Sequence, residues 1–202
     1  MCGRSLAIAV FVLTTLSGCA LTVDRIDIQY NQQQGVSQIP GAGNVTVSVQ
    51  ANDLRPDKSK VSTKKNGYGM EMAPILASED IAITIRRAIE KEIQARGFQL
   101  ASDPLVQIVA DVTRFYNDHK VGFFAGDSVA DLNMAVSVKS KKGEQLYSRQ
   151  IVAQGVEANI QLMSGDNARL ALTRALESGM KLLFEDQSFL SALLASAKPA
   201  SK

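Results

Sequence analysis

Residues 130–139 read Ala-Asp-Leu-Asn-Met-Ala-Val-Ser-Val-Lys, and their alternation constrains the fold more than any other stretch. Ala130, Leu132, Met134, Val136 and Val138 fall on one side of an extended chain, and Asp131, Asn133, Ser137 and Lys139 on the other. A period of two with one apolar side marks a strand that is dry on one face and wet on the other. Helices can then cover only the dry face. The same alternation appears in Val45, Val47, Val49 and Ala51 against Thr46, Ser48 and Gln50, and again in Val106, Ile108, Ala110 and Val112. Lys141-Lys142-Gly143 turns the chain into a further strand at about 145–158. Residues 57–77 read as a loop or hairpin with two short strands.

Between the strands the period changes. Ile81, Ile85, Ala88, Ile89 and Ile93 form one stripe at helical spacing. Ser78 precedes it as the expected N-cap, Glu79 and Asp80 favour the positive end of the helix dipole, and Gly97 supplies the stop. A second helix runs from about Asp166 to Phe184, with Leu170, Thr173, Leu176, Met180 and Leu183 on one face and Leu172 and Ala175 broadening it. A short terminal helix follows around Phe189, Leu193 and Leu194. The expectation is an α+β domain: an antiparallel sheet of about four to five strands with two helices packed on one face.

The N-terminus has a different character. Arg4 is the only charge before Asp24, and an apolar run from Ser5 to Leu16 follows it. That run is too short for a membrane span of ~20 residues and suits a secretory signal. Residues 1–18 are therefore read as a signal peptide and 19–43 as a tether beginning at Cys19. Residues 44–197 are read as one periplasmic domain, and 198–202 as a disordered tail. A free coil of this tether's length averages about 27 Å end to end. Ile26, Ile28 and Tyr30 alternate with Asp27 and Gln29, however, so part of it can dock as an edge strand. The only other cysteine, Cys2, leaves with the signal, so the mature chain can form no internal disulfide.

Leu16-Ser17-Gly18-Cys19 resembles the lipobox of bacterial lipoproteins. Two further stretches extend the likeness: "VTVSVQANDLRPDKSKV" over 45–61, with Asp53 and Arg55 at the strand exit, and "SEDIAITIRRAIEKEIQARGF" over 78–98. With these the chain resembles the YajG-type family of uncharacterised bacterial lipoproteins over nearly its whole length. The resemblance implies acylation of Cys19, an outer-membrane lipoprotein and no assigned reaction. Ala20 stands where an Asp would imply retention at the inner membrane.

The search for chemistry yields little that converges. His119 is the only histidine and reads as a loop residue, with no partner at metal-ligand spacing. Gly41-Ala42-Gly43 and Gly67-Tyr68-Gly69 lack the lysine and the strand-to-helix context of phosphate-binding loops. Asp53 with Asp57, and Asp127 with Asp131, are the conceivable acid/base pairs; Arg55 beside Asp53 reads more simply as a strand-end ion pair. Without Arg4 the chain carries 21 basic against 20 acidic residues, and it has no tryptophan. That balance gives no argument for nucleic acid. The candidate partner-binding residues are Lys58, Lys60, Lys64, Lys65 and Tyr68, in a segment free of acids between Asp57 and Glu71, with Met70 and Met72 as apolar neighbours. The expected function is a non-enzymatic binding or assembly component of the cell envelope, held at the membrane by its lipid and working with an envelope protein complex, without metal or cofactor. The alternatives are a carrier of lipid or cell-wall fragments and, third, an enzyme built around His119 or Asp53.

Overall fold

The structure, a computed structural model, describes residues 22–120, 122 and 125–195. Its elements follow in the order β1 (Asp24–Ile26), β2 (Thr46–Asp53), β3 (Ser62–Lys65), β4 (Glu71–Ala77), α1 (Ile81–Ala95), β5 (Gln99–Leu100), β6 (Val106–Lys120), β7 (Gly126–Ser140), β8 (Gln145–Ile160), α2 (Gly165–Phe184) and α3 (Gln187–Ala195). The main sheet has the order β5-β2-β6-β7-β8, and a second, smaller sheet has the order β1-β4-β3.

The expectation of one antiparallel sheet is corrected in two ways. β6, β7 and β8 are antiparallel neighbours, but β2 runs parallel to both β5 and β6. The cause is α1, which lies between β2 and β6 in the chain and carries it back to the end of the sheet where β2 began, as a parallel crossover requires. Alternation shows which face is dry and is silent on strand direction. The smaller sheet is the second correction, since it forms from the 57–77 hairpin together with a strand from the presumed tether. There are three α-helices among the described residues, the third being the short terminal one.

β6 is longer than its alternation suggests. Its pairing with β7 shifts register between Val112 and Arg114. Val106, Ile108, Ala110 and Val112 are buried before the shift, and Phe115, Asn117 and His119 after it. One extra residue changes the phase of the strand without ending it.

All five residues of the α1 stripe are buried. Its N-cap is Asp80 rather than Ser78: the carboxylate accepts from the Ala82 amide at 2.7 Å. At the other end Gly97 takes φ 91°, the Phe98 amide donates to the Ile93 carbonyl, and the Gly97 amide donates to that of Gln94. This is the left-handed glycine stop read from the sequence.

α2 is rotated relative to its expected face. Leu172, Leu176, Met180 and Leu183 are fully buried with Ala168, Ala171, Ala175 and Gly179, while Leu170 and Thr173 are only half-buried. Small residues line the contact because the helix backbone lies directly on β8. A Cβ on Gly155 would stand 2.2 Å from both the Ala171 carbonyl oxygen and the Ala175 amide nitrogen. α3 then returns over the sheet, with Phe189 edge-on to Phe184 and Tyr147 at centroid separations of 5.3 and 5.4 Å.

Within the tether read over 19–43, the edge-strand docking that its alternation allows is what the structure shows, and the chain is folded down from Asp24 onward. β1 pairs in parallel with β4, and Ile26, Ile28 and Tyr30 are buried. Tyr30 donates to Glu92 Oε1 on α1 at 2.6 Å, the Gln33 amide donates to the same oxygen at 2.8 Å, and Arg96 pairs with the other oxygen. Ile39 is held by the Arg96 carbonyl, and Ala42 is buried. The apolar alternation of Ile26, Ile28 and Tyr30 is what docks this segment.

Gly155→Ala drives a methyl into helix backbone, so it should destabilise the fold by at least about 2 kcal/mol. Gly67→Ala meets open space and should stay within about 0.5 kcal/mol of wild type. Ile89→Ala, at the centre of the α1 stripe, should cost ~2–5 kcal/mol. Urea midpoints of the three variants check all of these; equal midpoints for Gly155→Ala and Gly67→Ala would place α2 elsewhere.

Candidate functional site

The segment singled out for its lysines is the β3–β4 hairpin and the loop that leads into it. Asn66 shapes the tip: its Oδ1 accepts from the Tyr68 and Met70 amides, each at 3.0 Å. Its own amide donates to the Met70 carbonyl. Gly69 takes φ 81°, a left-handed conformation that suits glycine at this turn. Tyr68 stands at the outermost point and is 92% exposed, with Met70 and Met72 exposed beside it.

The lysines have different surroundings from those the sequence suggests. Lys60 pairs with Glu71 at 2.6 Å across the hairpin, and that hydrogen bond raises the Lys60 pKa above its ordinary value. Lys64 is buried; its Nζ lies 2.8 Å from Asp24 Oδ1 and donates to the Thr22 carbonyl at 3.0 Å. Lys65 pairs with Asp118 of β6. Lys58 is exposed. The stretch is free of acids only along the chain, because folding brings Glu71, Asp24 and Asp118 to three of its four lysines. These pairs fix the hairpin to β1 and β6 and remove most of its net positive field.

Asp53 and Arg55 form the strand-end pair read from the sequence. Arg55 is buried and grips the carboxylate with two nitrogens, Nε at 2.9 Å and Nη2 at 2.8 Å. Its Nη1 donates to the Lys60 and Phe115 carbonyls, which ties the loop before β3 to β6. Burial pushes the Asp53 carboxyl up, but the Arg55 hydrogen bonds outweigh it and leave the pKa lowered. Asp57 is occupied by Ser59, and Asp131 by Arg114 and Gln154. Asp127 accepts from the Asn159 amide. None of these acids converges on another. No group of three or more His, Cys, Asp or Glu residues suited to a metal ion occurs among the described residues.

His119 is not a loop residue. It is 2% exposed at the end of β6, and neither ring nitrogen has a hydrogen-bond partner. Nearby, Asn117 donates to Ser62 Oγ at 2.9 Å and accepts from Ser128 Oγ at 2.7 Å, a buried polar chain joining the small sheet to the large one. The phase change at Val112–Arg114 is the signal that turns His119 inward. Desolvation drives its pKa from the ordinary 6.5 down to about 4, against the pull of Asp118 and with the push of Lys65.

A groove unforeseen from the sequence lies where the docked N-terminal segment meets α2 and β8. It has a volume of ≈ 660 Å³ and is lined by Tyr30, Gln33, Arg174, Glu177 and Lys181 among others. It exists only because residues 24–44 are folded down, which hydrophobic pattern alone leaves open. Cys19, the expected lipidation site, lies outside the described residues.

Comparison with known proteins places this architecture. Residues 32–193 match the family described as "Uncharacterized lipoprotein". The chain is 22% identical over 176 residues to "Uncharacterized lipoprotein YajG" of Escherichia coli K12, a match covering 87% of this chain and 89% of that one. The protein of the same name in Escherichia coli O6:H1 gives the same figures. Among solved structures, a protein from Xanthomonas campestris shares the fold with a TM-score of 0.53 at 12% identity, covering 86% of this chain and 96% of that one.

The buried neutral His119 makes the fold acid-sensitive in a defined window. Its folded pKa is depressed, so the unfolded chain takes up the proton first as pH falls. Stability should be complete above pH 6.5 and decline toward about pH 4, by at most ~1.4 kcal/mol per pH unit. His119→Leu should flatten that limb while leaving the carboxylate-driven loss at lower pH. Urea midpoints taken across this range test it, and an unchanged slope in the variant would assign the limb to other groups.

Proposed function

The chain belongs to the family of uncharacterised lipoproteins, and from that premise we propose that Cys19 is its acylated mature N-terminus. The lipid holds the domain on the periplasmic face of the outer membrane. There the domain serves as a non-enzymatic binding or accessory component of an envelope assembly. The observation that carries this reading is the lipobox Leu16-Ser17-Gly18-Cys19, placed just ahead of a domain whose Thr22 is already hydrogen-bonded to Lys64. Ala20 after the cysteine supports the outer rather than the inner membrane. Two or three acyl chains suffice for lasting attachment, where one would be marginal. No described helix is long and apolar enough to cross a membrane.

The loop and hairpin carrying Lys58, Lys60, Lys64, Lys65 and Tyr68 form the contact region in this reading. Three of the lysines hold its shape, and Lys58 and Tyr68 face outward. A carrier of lipid or cell-wall fragments would instead use a deep apolar cavity between helices and sheet. Leu132, Met134, Leu172, Leu176 and Met180 fill that layer with no exposure, which favours the accessory role.

Wild-type protein should sediment with outer membrane and carry the added mass of its acyl groups, whereas Cys19→Ser should appear as a soluble or unprocessed form. Intact mass after membrane fractionation decides it: an unmodified thiol on membrane-bound wild type overturns the proposal.

A further inference from the structure

The smaller sheet also shows which way the domain faces. β1 runs parallel to β4, with Asp24 beside Ile75 and Ile26 beside Ala77. Moving back along the chain from β1 therefore means moving along β4 toward the hairpin tip. Lys64, which stands opposite Ala73, holds the Thr22 carbonyl at that level. From Ala73 the hairpin continues three residues to Met70, or ~10 Å. From Thr22 the chain has three residues to Cys19, a reach of at most ~11 Å. The acylated cysteine and the hairpin tip can thus reach the same plane.

The same end of the domain is apolar. Tyr68, Met70 and Met72 project from the hairpin, and Val23 lies exposed beside its base. Leu162, 74% exposed, follows the end of β8, and the Gly165 amide three residues later donates to Asp24 Oδ2 at 2.8 Å. Three of the region's four lysines are neutralised by Glu71, Asp24 and Asp118, so little net charge opposes contact with a low-dielectric phase. A tyrosine flanked by flexible methionines suits the headgroup boundary of a bilayer, where an amphipathic ring has both phases within reach.

We infer that the hairpin tip at Tyr68 and Met70 rests on the phospholipid surface and fixes the orientation of the anchored protein. This rests on the acylation of Cys19 proposed above. The contact need not be strong alone. An anchor three residues before Thr22, able to reach the level of the tip, makes the second contact intramolecular, so its effective concentration is high.

The chain has no tryptophan, so one substitution supplies a single emitter. The full acylated chain carrying Tyr68→Trp is reconstituted in phosphatidylethanolamine–phosphatidylglycerol vesicles with brominated acyl chains. Leu182→Trp, near the far end of α2 and ~26 Å along that helix from Gly165, is the reference. Tyr68→Trp, seated ~5–10 Å into the boundary, should lose a substantial part of its emission to the bromines, and Leu182→Trp should lose none. Intact mass and flotation of each sample report the anchor separately. Acylated, floating protein with unquenched Tyr68→Trp overturns the inference and leaves the anchor reading intact. Unacylated protein that fails to float overturns both. An unquenched tip whose emission shifts to the blue only when solubilised envelope proteins are added assigns it to a protein partner, and that also overturns the inference.

Discussion

The thickness of the core is set at one place, where the backbone of α2 lies on Gly155 of β8 with no room for a Cβ. With the helix that close, only small side chains fit beneath its axis, and Ala168, Ala171, Ala175 and Gly179 fill that line. Gly179 repeats the constraint one layer further on, where a Cβ would meet Leu132 Cδ2 at 2.6 Å. The larger residues Leu172, Leu176, Met180 and Leu183 are displaced to the flanks of the contact and pack there at full burial. The end of the helix is thereby placed so that Phe184 meets Phe189 of α3 on one side and receives the Arg96 guanidinium, 4.4 Å above its ring, on the other. α1, α3 and the docked N-terminal segment all take their positions from a helix seated on that glycine.

What the sequence made legible was periodic. The α1 stripe, its glycine stop, the dry face of β7 and the turn into β8 follow from spacing and turn chemistry, and each has its expected place. The features that escaped reading are those in which one residue breaks a period or distant segments meet. The extra residue near Thr113 moved His119 from an imagined loop to the interior. The parallel direction of β2 depends on a crossover rather than on any residue within β2. The seat of α2 depends on Gly155, a glycine inside a strand, which is the usual local sign of a close backbone approach. That sign was present, but it does not name the helix that approaches.

The candidate site shows the same division. Asp53 and Arg55 are two residues apart, and their pairing was readable. The partners of Lys64 and Lys65 are not, because Asp24 lies 40 residues before one and Asp118 53 residues after the other. A charge run judged along the chain looked like an open basic surface. In the fold it is a set of fasteners joining hairpin, N-terminal strand and main sheet, and the outward-facing chemistry that remains is chiefly aromatic and thioether.

The short pairing of β1 with β4 also has a mechanical side. A pull on the residues before Thr22 acts along the axis of β1, away from the domain. Its hydrogen bonds to β4 lie across that axis, so the load reaches them together, in shear, rather than one at a time as in peeling. The Lys64–Asp24 pair and the Gly165 amide on the same carboxylate share it. Tension from the N-terminal side is therefore borne by the smaller sheet and the first turn of α2 before it can reach the core.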